Sequence, residues 1–441
     1  MTRSLDTPDK IRTLQRKLYV KAKAEPEFRF YLLHDKFCRA DILAHAYALA
    51  RHNDGSAGVD GVTFEDIERA GMEAWLEALR EELASMRYRP APVRRVMIPK
   101  PGGGERPLGI PTIRDRVAQT AAKLVLEPIF EADFEDCAYG YRPKRSAGDA
   151  IRATHRLIRQ GYVDVVDADL SKYFDTIPHA ELLKCVARRI VDAKALRLIK
   201  LWLSSPVEER DSSGRRRMSG GRSNRKGTPQ GGVISPLLAN LYINRFLKFW
   251  RLRECDKTFR ARVVNYADDF VILSRGHAAE ALAWTRSAMA KLGLTINEVK
   301  TSLKDARVEG FDFLGYTFGP RYARNGEPYL GARPSTKSLK RIKGKIGDLL
   351  RPCEIGAWPQ VRQRLNRLLG GWSAYFGYGT LNAAYRAVDR HVCDRVRRFL
   401  NRRGQRGGRG ARVFSWGDVF GRLGVRRLTR DKPTAPAVSL T

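Results

Sequence analysis

The chain is 441 residues long and carries 82 Lys and Arg against 48 Asp and Glu, a formal net charge of +34. Such a length buries a large core in two or three units, and such a surplus points to a polyanion, nucleic acid first and anionic lipid second. Six cysteines with no C-x-x-C pair exclude a zinc ribbon and a disulfide framework and fit a reduced compartment; a charged amino terminus and the lack of any long apolar run predict neither signal peptide nor membrane span.

Residues 1 to about 90 read as mostly helical, broken by the turn-rich loop Asn53 to Gly61. Val93 to Ile98, the turn Pro101-Gly102-Gly103-Gly104 and the segment to Pro111 predict a β-hairpin. An apolar, β-branched run from Val163 ends in the carboxylate of Asp169, and Leu182, Leu183, Val186 and Ile190 then recur at helical spacing. Arg262 to Leu273 predicts a second hairpin with Ala267-Asp268-Asp269 at its turn, followed by a helix that stops at Gly293. After about residue 335 basic amphipathic helices take over, through Leu349, Leu350, Val361, Leu365 and Leu368 to Trp372, Tyr375 and Phe376, and a domain boundary belongs there. Residues 391–430 hold twelve Arg against two Asp, and the Gly404 to Gly410 stretch looks flexible. No internal repeat is present.

Asp169 at a strand end and Asp268 and Asp269 at a hairpin turn could together hold two divalent cations if their strands are neighbours in one sheet. Phosphoryl transfer from a nucleoside triphosphate uses that arrangement, one ion for the attacking hydroxyl and one for the triphosphate, and hard oxygen ligands suit magnesium. Either site alone is ordinary, because Asp is common in turns. Their conjunction with other blocks carries the weight.

Asp169-Leu170-Ser171-Lys172-Tyr173-Phe174-Asp175, Gly227-Thr228-Pro229-Gln230-Gly231-Gly232-Val233-Ile234-Ser235-Pro236 and Tyr266-Ala267-Asp268-Asp269 stand in that order. With them the chain resembles, over roughly residues 50 to 400, the reverse transcriptases encoded by bacterial group II introns. The resemblance implies an α+β right hand: an amino-terminal extension and start of the fingers over 1–92, fingers over 93–165, and a palm over 166–334 with finger elements interleaved. The palm is expected to be a small antiparallel sheet backed by helices. A helical thumb and maturase domain over 335–403 and a basic tail over 404–441 complete the expected organisation.

The resemblance also distributes roles. Asp169, Leu170, Asp268 and Asp269 would bind two Mg2+ ions, with Mn2+ as a possible substitute, and Asp169, Asp268, Asp269 and Lys300 would be catalytic. Lys300, in Leu294 to Thr301, could protonate the leaving pyrophosphate, a general-acid role that needs a lowered pKa. Lys100 and Arg106, flanking the glycine turn of the fingers hairpin, would grip the triphosphate of the incoming dNTP. Phe174 would wall off a ribose 2′-hydroxyl, and Gln230 and Gly231 would lie near the templating pair. Tyr266, Leu314 and Gly315, the last two in Phe311 to Tyr316, would support nucleic acid, as would Arg397, Arg398, Arg402 and Arg403.

Ser56 to Thr63 resembles the extra amino-terminal block of group II and related enzymes, and Tyr139-Gly140-Tyr141-Arg142-Pro143 the block Tyr-Gly-Phe-Arg-Pro, with Tyr141 in place of Phe and Ala138 where Ser is usual. Leu365 to Phe376 resembles the maturase-specific region, whose basic helices suit RNA while Trp372, Tyr375 and Phe376 read as thumb core. With neither His nor Cys after residue 400, the family's His- and Cys-containing nuclease is not expected there, so priming is expected from an existing 3′ end, as at a replication fork. The partners expected are group II intron RNA, an RNA template with DNA or RNA primer, and target DNA, with no membrane, in the bacterial cytoplasm and at the nucleoid when bound to DNA. Two alternatives stay open: a stand-alone enzyme of phage defence or adaptive immunity, and a splicing cofactor whose polymerisation is vestigial. An RNA-dependent RNA polymerase would share the paired acids but not the Phe174 block.

Overall fold

The computed structural model describes residues 5–99, 104–210, 215–323, 325–404 and 414–429, with Arg222 described by its backbone alone. Its strands are β1 (Val93–Pro99), β2 (Glu105–Ile110), β3 (Asp164–Asp169), β4 (Pro206–Arg210), β5 (Arg216–Gly220), β6 (Ala261–Tyr266), β7 (Asp269–Ser274), β8 (Ser302–Asp305), β9 (Phe311–Phe313), β10 (Tyr316–Tyr322) and β11 (Pro328–Pro334). They form three sheets, ordered β2-β1-β4-β5, β6-β7-β3-β8 and β11-β10-β9. All pairings are antiparallel except β1 with β4. This is the mixed fold of fingers and palm followed by a helical domain.

The expected fingers hairpin is β1 and β2, and β4 and β5 widen it into a sheet from within the palm's stretch of sequence. Helix Ile113–Glu131 runs through the core with most of its residues buried, and helices Asp9–Ala24 and Ala40–Asn53 pack against it. Thr112 starts that central helix by accepting from the Asp115 backbone N–H, which satisfies one of the donors a helix leaves free at its first turn.

The central sheet is buried on both faces, and the alternation of β3 sorts them. Val166 and Ala168 join the large cluster that holds helix Ser235–Leu252, whereas Val165 joins a second cluster with Val271, Leu273, Phe311, Phe318 and Phe376. Because side chains alternate with period two, Asp167, Asp169 and Asp269 share the face of Val165 and Val271. The acids therefore look toward β9 to β11 and the helices beyond. Helix Ala147–Arg159, expected in the fingers, buries Ala150, Ile151 and Ile158 in this same second cluster. Its apolar stripe has the palm as its nearest partner.

Helices Thr336–Leu349, Trp358–Tyr375 and Asn382–Arg403 share a third core. Residues 414–429 correct the expectation of a trailing tail: Val419, Val425 and Leu428 are buried in that core. The fully buried Asp389 accepts from the backbone N–H of Leu428 at 2.9 Å, from that of Thr429 at 3.1 Å and from the Thr429 hydroxyl at 2.8 Å. The arginine count hid these widely spaced apolar residues. Trp372, Tyr375 and Phe376 also differ from pure thumb core. Phe376 packs in the second cluster and Trp372 touches both, while Tyr375 is 45% exposed, so the three bind thumb to palm.

Candidate active site

β6 and β7 meet at Ala267-Asp268, where Ala267 holds φ +59, a left-handed conformation costing a residue with a Cβ roughly 1–2 kcal/mol. The surroundings over-determine it. Asn265, buried in β6, donates from Nδ2 to Ala267 O at 2.9 Å, and its backbone pairs with the 137–139 segment, receiving from Tyr139 N at 2.8 Å and donating to Cys137 O at 2.9 Å. Gly140 then lies against the turn so closely that a Cβ there would sit 2.4 Å from Ala267 N. Asn240, from helix Ser235–Leu252, donates to Gly140 O at 2.6 Å. The Tyr139-Gly140 block is thus a cradle for the acidic turn.

Register places Asp169 opposite Asp269 across β3 and β7. Asp269 lies at the open floor of a cleft walled by protein, and its carboxyl is pushed up to about 7, first by loss of solvent and then by Asp268, Asp169 and Asp167, with Lys300 opposing. Asp167, two residues before Asp169 on the same face, is pushed up to about 6, chiefly by burial. Negative charge this concentrated, on hard oxygen donors, fits divalent cations. Among the described residues, no three acidic, His or Cys side chains are drawn tightly enough to enclose an ion. Asp169 holds Lys300 instead, accepting from its Nζ at 2.8 Å.

That pair sets the state of Lys300 in the metal-free protein. Its hydrogen bond and charge attraction to Asp169 raise its pKa where a general acid needs it lowered. Asn297 reaches the same residue twice, from its backbone N–H to Asp169 O at 2.8 Å and from Nδ2 to Oδ2 at 3.4 Å. Leu170 buries its side chain in the large cluster, which leaves its carbonyl as the only group able to face a metal.

Among the residues expected near the nucleotide, Phe174 is buried and its carbonyl accepts from Thr228 N at 2.7 Å, fixing it to the glycine-rich loop. Gln230 spans the gap to the fingers: Nε2 donates to both oxygens of Asp175 at 3.3 Å, Oε1 accepts from Arg106 Nε at 3.1 Å, and its carbonyl accepts from Gly109 N at 2.6 Å. Gly231, at φ +108, passes so near β2 that a Cβ would lie 2.0 Å from Gly109 O. Any side chain there would push the fingers off the palm. Lys100 lies outside the described residues.

A groove of about 550 Å³ opens between the 314–315 turn and the thumb helices, lined by Gly315, Arg341, Lys345, Arg367, Trp372 and Tyr375. The Tyr375 hydroxyl donates to Leu314 O at 2.9 Å, and Ser335 N and Ser338 Oγ donate to Gly315 O at 2.8 and 2.9 Å. Cationic walls with an aromatic floor suit a nucleic-acid strand. Of the four arginines expected to contact nucleic acid, Arg397 donates to Phe414 O and Arg403 to the carbonyls of Gly356 and Ile355. Those two brace the thumb itself, whereas Arg398 and Arg402 project into solvent.

Residues 98–318 match the family described as reverse transcriptase (RNA-dependent DNA polymerase), and residues 339–414 match the group II intron, maturase-specific domain. The chain is a group II intron-type reverse transcriptase. It is 35% identical to protein YkfC of Escherichia coli K12, over 77% of this chain and 99% of that one. It is 34% identical to the group II intron-encoded protein LtrA of Lactococcus lactis subsp. cremoris, over 74% of this chain and 62% of LtrA. This reverse transcriptase is therefore an RNA-directed DNA polymerase of a family that uses divalent metal ions, and its maturase domain implies binding to intron RNA. Among its described residues no helix is long and apolar enough to cross a membrane.

Asn265, Asn240, Gly140 and Asn297 had no assigned role in the sequence of this reverse transcriptase. Asn265 carried a signal, since an amide inside an apolar strand must find partners or cost stability. The other three become meaningful only once their distant partners are known.

Proposed function

We propose that this chain copies RNA into DNA with Asp169, Asp268 and Asp269 as ligands of two Mg2+ ions and dNTPs as substrates. The pairing of Asp169 with Asp269 in one sheet, though 100 residues apart, carries this reading. The ions, when bound, lower the pKa of the primer's 3′-hydroxyl and neutralise the triphosphate. The protein's own part is positional. Asn297 and the Asn265–Gly140 cradle hold the carboxylates, Arg106 with Lys100 meets the phosphates, Phe174 faces the sugar, and Gln230 joins fingers to palm beside the templating pair. Leu314, Gly315 and Tyr266 support the primer end, and the basic face of the thumb, including Arg398 and Arg402, takes the template or intron RNA.

Binding of its own intron RNA, help in splicing it and copying into target DNA complete the proposed role, with domains divided near residues 92, 165 and 335. Primer extension on an RNA template with Mg2+, comparing wild type with Asp268→Ala, tests the site. A loss of at least ~10³-fold is expected, the scale of removing a central electrostatic element; extension at the wild-type rate in the variant would overturn it.

A further inference from the structure

Phe174 has two aromatic neighbours, and only one belongs to the palm's interior. Tyr173 lies 5.7 Å away, ring to ring, and is buried with its hydroxyl donating to Ala239 O at 2.6 Å. Tyr141 meets Phe174 from the open side, edge to face at 6.4 Å and 78°, with 45% of its surface exposed.

The chain on either side dictates where that ring stands. Gly140 is pressed against Ala267 of the catalytic turn. Arg142 is held in a buried ion pair with Glu131 at 2.7 Å and donates to the carbonyls of Glu135 and Ala138 at 2.7 and 2.8 Å. Between these anchors Tyr141 takes φ +53, a left-handed backbone that persists in a side-chain-bearing residue only where its surroundings enforce it. Burial first, and then the charge of Asp268, raises the pKa of its phenol, with Arg106 opposing. Tyr141 thus stands beside the acidic turn through Gly140, with its ring against Phe174.

We propose that Tyr141 is a positioning residue for sugar selection, its ring bracing Phe174 so that the wall facing the nucleotide's C2′ stays rigid. This rests on the reading of Phe174 as the sugar wall. A wall selects by repulsion, and repulsion works only if the wall cannot swing aside. Tyr173 blocks motion toward the core, and Tyr141 blocks motion toward the cleft. The hydroxyl plays no part in bracing, so Phe at this position serves equally.

Single-nucleotide incorporation by the full chain, read as the ratio of kcat/KM for a dNTP to that for the matching rNTP, tests this. Tyr141→Gly removes the ring and suits the left-handed backbone, so the fold is kept; a melting curve checks it, with Tyr141→Ala as the second variant. The ratio is expected to fall about three- to tenfold in both, the range of one aromatic pair, and to stay within about twofold of wild type in Tyr141→Phe. A wild-type ratio in Tyr141→Gly while Phe174→Ala loses selectivity overturns the brace alone. Unchanged selectivity in Phe174→Ala overturns the sugar-wall reading itself. An equal fall in Tyr141→Phe and Tyr141→Gly assigns the effect to the hydroxyl and also overturns the brace.

Discussion

Lys300 Nζ donates to Asp169 Oδ2 at 2.8 Å, so an ammonium group already holds one of the carboxylates proposed as ligands of the divalent ions. Lys300 is 65% exposed, which limits the pair to about 1 kcal/mol or less, or at most about fivefold in an equilibrium. Lys300→Met is therefore expected to lower the half-saturating Mg2+ concentration by about two- to fivefold, whatever it does to kcat. Initial rates against metal concentration measure this, and an unchanged or higher midpoint would refute it.

Asp269, with its carboxyl pushed up to about 7, supplies a pH dependence whose sign is fixed. A carboxyl in the unfolded chain titrates near 4, so between about 4 and about 7 the folded protein holds a proton that the unfolded chain releases. Metal-free protein accordingly loses stability on this account as pH rises through that window. Asp269→Asn abolishes the titration, and its melting temperature relative to wild type is expected to climb from pH 4 to pH 7 in chelator. A difference that stays flat with pH would contradict it.

Gly140→Ala places a methyl group 2.4 Å from Ala267 N and 2.9 Å from Tyr266 C, both backbone atoms. The acidic turn must yield by a sizeable fraction of an ångström. Misplacement on that scale costs about tenfold to a hundredfold in the chemical step. Single-turnover extension should show the loss while circular dichroism stays native; a wild-type rate would mean the cradle does not set the turn.

Ending the chain at residue 413 removes Val419, Val425 and Leu428 from the thumb core and all three donors described for Asp389. A buried carboxylate stripped of its partners costs about 3 kcal/mol or more. Hydrogen exchange should then show helix Asn382–Arg403 losing protection while the palm helix Ser235–Leu252 keeps it. Equal protection in truncated and full chains would show that the segment is dispensable.

What the sequence made legible follows from how local each signal is. The hairpin around Asp268, the strand ending at Asp169 and the loop at Gln230 are short patterns of alternation or turn chemistry, and each forms where the pattern lies. The partner of Lys300 was hidden because Asp169 stands 131 residues earlier, so neither its charge nor its hydrogen bond can be read locally. Asn265 is a polar residue in an apolar strand, and its hold on Ala267 depends on the shape of a turn rather than on any local pattern. Residues 414–429 were obscured differently, by a density of arginine that outweighed the widely spaced side chains packing into the thumb.

The position of β3 in the middle of its sheet has a consequence for biosynthesis. It pairs with β7 on one side and β8 on the other, and both are made about a hundred residues or more after it. At about 5–20 residues per second, the ribosome needs several seconds or longer to supply the first partner. Throughout that interval Val165 and Val166 lack both of the strands they pair with in the folded sheet, in the same segment as Asp167 and Asp169. Those two acids, spaced to repel a second copy stacked in register, give the nascent strand a charge that discourages pairing with its neighbours on a polysome. The carboxylates that gather at the finished site are thus also the charge this strand carries while it lacks its partners.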